Sequence, residues 1–204
     1  MVDINFDKKF KKSIIGIDEV GRGSLAGPVV AGAALLNHDE PLHKNLNDSK
    51  KLSPKIRFEI FESLKRNTCF GIGKSSNNEI DNYGIQKATF KAMERAFLDL
   101  RKKITNRKIS TLLIDGNQNP YFKNLFGADL KLITKGDTIS PSIAAASIFA
   151  KCIRDLYMLE MDAVYEGYGF GTNMGYGTKL HKKKLFTSGP TRLHRMTFAP
   201  MKHI

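Results

Sequence analysis

Apolar and polar positions fall into short blocks that set the order of elements. Apolar runs at Ile14–Ile17 and from Val29 onward frame a polar, glycine-rich segment and read as strand, turn, strand. Ser53-Pro54, an N-cap followed by proline at the first helical position, opens a helix to about Lys65, with Ile56, Ile60 and Leu64 on one face. Thr68–Lys74 reads as a strand. Ile85, Thr89, Ala92, Met93, Ala96, Phe97 and Leu100 then keep helical spacing, a core-facing stripe. That helix ends in Arg101-Lys102-Lys103, favourable at the negative end of its dipole. Ser110–Ile114 and Leu130–Thr134 are predicted strands. Ser140-Pro141 starts a long helix, Ser142–Tyr165, whose Ala144, Ala145, Ala146 and Ala150 permit close approach to a neighbour. Its Lys151, Arg154 and Asp155 read as surface or salt-bridging residues. A glycine- and tyrosine-rich stretch, Gly167–Gly171 and Gly175–Thr178, precedes a lysine-rich helix, Lys179–Phe186. With no internal repeat and no low-complexity linker, residues 1–204 form one α/β domain, with 1–12 charged and frayed and 39–51 loop-like.

Acids mark the ends of these runs. Asp18 and Glu19 follow the first strand, Asp115 follows the run Ser110–Ile114, and Asp137 follows Leu130–Thr134. Carboxylates delivered by neighbouring strands converge at one edge of an α/β sheet. Burying such acids is costly unless a cation meets them, which points to a metal. Alternation along a strand places neighbouring residues on opposite faces, so Asp18 and Glu19 share an ion only if the strand bends or ends there. Beside them, Gly21-Arg22-Gly23 makes a turn whose backbone can approach a phosphate or sugar hydroxyl without a Cβ in the way. Gly73-Lys74-Ser75 looks like the tail of a phosphate-binding P-loop, but position 68, where the motif needs glycine, is Thr68, so ATP binding is rejected.

Charge narrows the partner. Lys and Arg number 33 against 20 Asp and Glu, a net +13, which favours a polyanion, chiefly nucleic acid. Aromatic residues interleaved with basic ones near the C-terminus suit stacking on bases and contact with phosphates. Cys69 and Cys152 are too few for a disulfide framework or a cysteine zinc site, and the five histidines show no HExxH spacing. No apolar run reaches a membrane span and the first residues lack a signal-peptide core, so a soluble, reducing, cytoplasmic setting is expected.

Asp18-Glu19-Val20-Gly21-Arg22-Gly23 resembles the signature of type 2 ribonuclease H, ribonuclease HII. The resemblance extends in order through Asp48-Ser49-Lys50-Lys51-Leu52, Ile114-Asp115-Gly116, Lys135-Gly136-Asp137, Ala144–Lys151 with Arg154-Asp155, Gly175-Tyr176-Gly177-Thr178 and His194-Arg195, from about Ile14 to Lys202. It implies an RNase H-like mixed sheet flanked by helices, with a small helical C-terminal part, residues 166–204, that binds substrate. It implies a monomer that takes RNA–DNA hybrids and ribonucleotide-containing duplex DNA. Asp18, Glu19, Asp115 and Asp137 are the implied catalytic, metal-binding acids for two Mg²⁺ or Mn²⁺ ions. The Gly21, Arg22 and Gly23 backbone is the implied reader of the 2′-hydroxyl, and Tyr176 the implied stacking partner of the adjoining deoxyribose. The Arg22 side chain could contact a phosphate or pair with an acid.

Some positions depart from the family pattern. Gly84-Ile85 stands where the family has Asn-Ile, and Met174 replaces a basic residue before Gly175-Tyr176-Gly177, which weakens a phosphate contact there. Type 3 ribonuclease H shares the Asp-Glu opening but usually lacks the arginine between the glycines and carries an additional N-terminal domain, so type 2 is preferred. The competing expectations are a non-catalytic hybrid-binding protein, for which the acids are dispensable, and another RNase H-like metal nuclease, which cuts all-DNA substrates.

Overall fold

The computed structural model of the chain describes residues 2–10, 13–37, 41–105, 107–121 and 127–203. A five-stranded mixed sheet is built from β1 (Ile14–Val20), β2 (Val29–Leu36), β3 (Thr68–Ser75), β4 (Thr111–Asp115) and β5 (Asp129–Ile133), in the order β3-β2-β1-β4-β5. The first three strands form an antiparallel meander, while β4 and β5 join β1 in parallel. The helices are α1 (Pro54–Asn67), α2 (Asn77–Tyr83), α3 (Ile85–Lys103), α4 (Pro141–Val164), α5 (Phe170–Asn173) and α6 (Lys179–Ser188). This is the α/β arrangement the resemblance implied.

Alternation along the strands explains the two layers. Ile15, Ile17, Ala31, Ala33, Leu112 and Ile114 turn to one face and meet the α3 stripe through Ala92, Met93, Ala96 and Phe97. On the other face Ala34 and Leu36 pack with Ala144–Ala146, Ile148 and Phe149 of α4, and α1 covers that layer with Ile60, Phe61 and Leu64. Phe149 stacks on Phe70 of β3 with ring centroids 4.0 Å apart. Burial of such a side chain contributes about 2–3 kcal/mol.

Glycine lets both helices lie directly on the sheet. A Cβ at Gly16 or Gly32 would overlap the α4 backbone at Ser142 or Ala146. At Gly71 or Gly73 it would overlap the α3 backbone at Ala96 or Ala92. The alanines of α4 and the glycines of the sheet are therefore two halves of one close contact, which fixes the start of α4 against β1.

Several expectations need correction. Residues 2–10 are not frayed: Asp7 is fully buried, its Oδ1 accepting from Ser140 Oγ at 2.6 Å and its Oδ2 from the Ser142 N–H at 2.9 Å. It thereby supplies negative charge at the N-terminus of α4. Residues 1, 11 and 12 of that segment, and residues 39 and 40 of the loop-like stretch, lie outside the described residues. The short helix α2 comes before the expected stripe, held by a capping box between Ser76 and Glu79 and separated from α3 by Gly84. The β1 strand does not end at the acids, and Asp137 sits in a 3-10 turn, Gly136–Thr138, beyond β5. Arg154 is fully buried and not a surface residue, although Lys151 and Asp155 do pair at 2.6 Å.

Candidate active site

The parallel pairing of β1 with β4 stops at Ile17 and Ile114, while the antiparallel pairing with β2 continues through Asp18, Glu19 and Val20. An opening is left between the end of β4 and the continuing β1. Asp18, Glu19, Asp115 and Asp137 border it. Gly136 fixes Asp115 by donating its N–H to Oδ1 at 2.6 Å, which also ties the 3-10 turn bearing Asp137 to β4.

Asp18 is 2% exposed. Its Oδ1 accepts the Glu19 N–H at 2.7 Å, but Oδ2 is buried with no hydrogen-bond partner. The nearby Ser147 hydroxyl, which also meets Ser49 Oγ at 2.9 Å, acts in the opposite sense to burial and lowers the Asp18 pKa, although Oδ2 itself has no hydrogen bond. Burial, then the charges of Glu19, Asp115 and Asp137, push the Asp18 carboxyl well above the usual carboxylate range. Burial likewise raises Glu19 despite Arg22, and burial with Asp115 and Asp48 raises Asp137 despite Lys50. Three neighbouring acids thus resist ionisation together, and a buried lone carboxylate oxygen faces their shared field. Oxygen donors of this kind suit hard divalent cations.

The strand geometry sets Glu19 apart. Because β1 remains regular, Asp18 faces α4 and Glu19 faces α3, in a shallow pocket with Gln86, Thr89, Phe90, Met93 and the segment Asp115–Gln118. The bend expected between the two acids is absent and Glu19 faces away from Asp18, which counts against the ligand role expected of Glu19. Among the described residues no three His, Cys, Asp or Glu side chains are grouped closely enough to hold a metal ion as they stand. The Arg22 side chain, about half exposed, pairs with Glu19 at 3.4 Å.

One cation borders the site from the 3-10 turn Ser49–Lys51. Asp48 caps this turn by accepting the Lys50 N–H at 2.8 Å, and Lys50 Nζ stands 3.9 Å from Asp137 Oδ2. Burial opposes its charge, but Asp18 and Asp137 hold the ammonium above its ordinary range. Arg57 anchors the turn through the Ser49 and Leu52 carbonyls and pairs with Asp155 at 3.0 Å. The motif Asp48–Leu52 marked this segment in the sequence, but nothing there placed Lys50 over Asp137.

The turn Gly21–Pro28 is gripped by two buried arginines. Arg154 from α4 donates to the carbonyls of Pro28, Met174 and Ala26 and to Ser24 Oγ, at 2.8–3.2 Å. Arg195 donates to the carbonyls of Gly21, Arg22 and Gly27, at 2.6–3.0 Å. Neither has a carboxylate in that set. Burial lowers the pKa of both, Arg195 to about 9. Gly21, with φ +91°, has no room for a Cβ, which would strike the Arg154 guanidinium. Gly23 differs: a Cβ there would meet nothing nearer than Tyr176 at 4.0 Å. Tyr176 is 37% exposed and lies under Arg154, the guanidinium 5.7 Å from the ring centroid. Gly21 is needed for packing, while Gly23 lines free space beside an exposed aromatic ring. Two other aromatics of this region, Tyr168 and Phe170, are buried against His181 and His194 and unavailable for stacking, whereas Phe186 is exposed.

Comparison with known proteins gives the family and the fold. The sequence description of the family Ribonuclease HII matches residues 15–201. A relative named Ribonuclease HII from Pelagibacter ubique is 44% identical over 190 residues, covering 93% of this chain and 97% of its own. The ribonuclease H2 of Pyrococcus horikoshii OT3 is similar in fold, with a TM-score of 0.73 at 23% identity over 93% of this chain and 95% of that one. A structure of Bst-RNase HIII in complex with Mn²⁺ has a TM-score of 0.75 at 22% identity, covering 94% of this chain and 68% of that one. Among the described residues no helix is long and apolar enough to cross a membrane.

Proposed function

Because the chain belongs to the ribonuclease HII family, and so is a hydrolytic endoribonuclease of the ribonuclease H type, we propose that it cuts the RNA strand of RNA–DNA hybrids and the 5′ side of ribonucleotides embedded in duplex DNA. The products on this reading are 3′-hydroxyl and 5′-phosphate ends, and the enzyme works as a cytoplasmic monomer. The observation that carries the reading is the buried, unpartnered Asp18 Oδ2 in the field of Asp115 and Asp137. A carboxylate in that state is poorly explained by packing and fits a site for cations.

Asp18, Asp115 and Asp137 would hold Mg²⁺ or Mn²⁺, and Glu19, on the other face of β1, would add negative charge beside them. When bound, two such ions supply an activated water and neutralise charge on the phosphodiester and the departing oxygen. The residues of the chain do the rest. Asp115 is oriented by the Gly136 N–H, and Lys50 adds positive charge where a phosphate enters. At Gly23 a ribose 2′-hydroxyl meets backbone unobstructed, the one group that separates RNA from DNA at a given sugar. Tyr176 receives the adjoining deoxyribose. The Arg22 side chain is assigned to Glu19, leaving its backbone for the substrate.

The test uses a DNA duplex with a single ribonucleotide and an all-DNA control, each with native protein or Asp115→Asn, in Mg²⁺, Mn²⁺ or EDTA. The expected result is a metal-dependent cut 5′ of the ribonucleotide that Asp115→Asn abolishes. Tight binding without cleavage in every metal would show a binding module, and cutting of the control would show a DNA nuclease.

A further inference from the structure

His181, in the first turn of α6, and His194 are buried together, 0% and 1% exposed. Their Nε2 atoms lie 3.0 Å apart, so one donates and the other accepts. The outer nitrogens decide which. His194 Nδ1 has two contacts at 2.9 Å, the Thr191 N–H and Thr191 Oγ1. The N–H can only donate, so Nδ1 accepts and carries no proton of its own, and the hydroxyl is a second donor there. His194 is then neutral with its proton on Nε2, and His181 must accept on its Nε2. That leaves the His181 proton on Nδ1, which donates to the Tyr176 carbonyl at 2.9 Å. The partners assign a one-way chain: Thr191 N–H to His194, His194 to His181, His181 to Tyr176. An additional proton on either ring would set two donors against each other.

The ends of this chain lie at the two parts of the substrate-reading surface. Tyr176 is held on its other side as well, its N–H donating to the Asn173 carbonyl at 2.9 Å. His194 adjoins Arg195, which grips the carbonyls of Gly21, Arg22 and Gly27, and the strand-like bridge between Ala26 and His194 runs beside it. The Arg195 N–H donates to the Leu25 carbonyl at 2.9 Å and the Gly27 N–H to the Leu193 carbonyl at 2.9 Å. Resting on the reading that Tyr176 and the Gly21–Gly23 turn contact the substrate, we propose that His181 and His194 are positioning residues, a neutral hydrogen-bonded pair that sets Tyr176 relative to that turn and so governs substrate affinity and not the chemical step.

The experiment separates the two contacts of His181. The amide of His181→Asn reaches the place of Nδ1 and keeps the bond to Tyr176. The amide of His181→Gln reaches the place of Nε2 and keeps the bond to His194 while removing the ring's bond to the Tyr176 carbonyl, which retains only the Thr178 N–H at 2.8 Å. Both are polar; glutamine is close to imidazole in size, while asparagine is smaller and gives up the bond to His194, a cost that the melting curves read separately from KM. KM and kcat are measured on the single-ribonucleotide duplex at neutral pH, with Tyr176→Ala alongside and melting curves for every variant. His181→Gln is expected to raise KM about fivefold, the worth of one buried hydrogen bond, with kcat within about twofold. His181→Asn is expected to keep the native KM. Equal KM values for both variants, or a loss confined to kcat, would overturn the proposal. If Tyr176→Ala raises KM and His181→Gln does not, the pair has no positioning role. If Tyr176→Ala leaves KM unchanged, the substrate role of Tyr176 falls, and the proposal with it.

Discussion

The two halves of this site treat buried charge in opposite ways. At the acid opening, negative groups gather without enough hydrogen-bond donors, and Asp18 Oδ2 is left with none. At the Gly21–Pro28 turn, two buried guanidiniums gather with nearly every N–H aimed at a carbonyl. Burying an ion is costly in both places. The arginines recover that cost within the chain and make a rigid surface. The acids leave it outstanding. On the proposed function, the half that acts on phosphate is thus set for cations from solvent, while the half that reads sugar is set by the fold alone.

The largest effect that tests this contrast is expected at Asp18. Asp18→Asn should lower metal-dependent turnover on the order of 10³-fold, because a charged partner of the cations is gone. The same variant should melt higher in EDTA, by about 2–4 °C for each ~1 kcal/mol of relieved repulsion. A melting temperature that falls along with activity would show that Asp18 is ordinary structure. Next comes Arg154→Lys. An ammonium cannot serve the carbonyls of Pro28, Met174 and Ala26 from one position, so urea unfolding should show a loss of about 3 kcal/mol.

Smaller effects divide the turn itself. Gly21→Ala should cost about 2 kcal/mol, since the new Cβ meets Arg154 and the backbone is left-handed there. Gly23→Val should leave the melting temperature within about 1 °C but reduce cleavage at a ribonucleotide about tenfold, because it fills space kept for a ligand. Native cleavage by that variant would remove the backbone reader from the proposal. The smallest effect is a pH dependence. Burial, then His181, pushes His194 down to about 4, below its usual 6.5, so the unfolded chain takes up a proton there that the folded chain refuses. The stability contributed by neutral His194 is complete above 6.5 and is lost as pH falls toward 4. The gap in melting temperature between native protein and His194→Gln should therefore narrow as pH falls through that window. A constant gap would mean that the folded and unfolded rings take up protons alike over this range.

Local signals carried much of this into the sequence. Proline caps fixed the starts of α1 and α4, the four acids stood beside predicted strands, and glycine flanked Arg22 where backbone is presented. Alternation alone posed the question of Glu19, and the regular strand answered it by turning Glu19 toward α3. Arg154 and Arg195 were illegible in their roles for a physical reason. Their partners are backbone carbonyls up to 174 positions away, and a carbonyl leaves no trace in residue type. Asp7 is similar, since it serves a helix that begins more than a hundred residues later. The α2 helix was legible and overlooked: Ser76 and Glu79 have capping-box spacing, but only seven residues follow the cap before Gly84.

The glycines beneath α3 and α4 carry a consequence for how such a chain can vary over time. At Gly16, Gly32, Gly71 and Gly73 the space of a side chain is already taken by the main chain of a helix, which no rotamer change can vacate. A larger residue at any of them is admitted only if a whole helix lifts, and lifting α4 would move the start of the helix away from Asp18. A single substitution at these positions therefore meets main chain, while one on the outer faces of the helices does not.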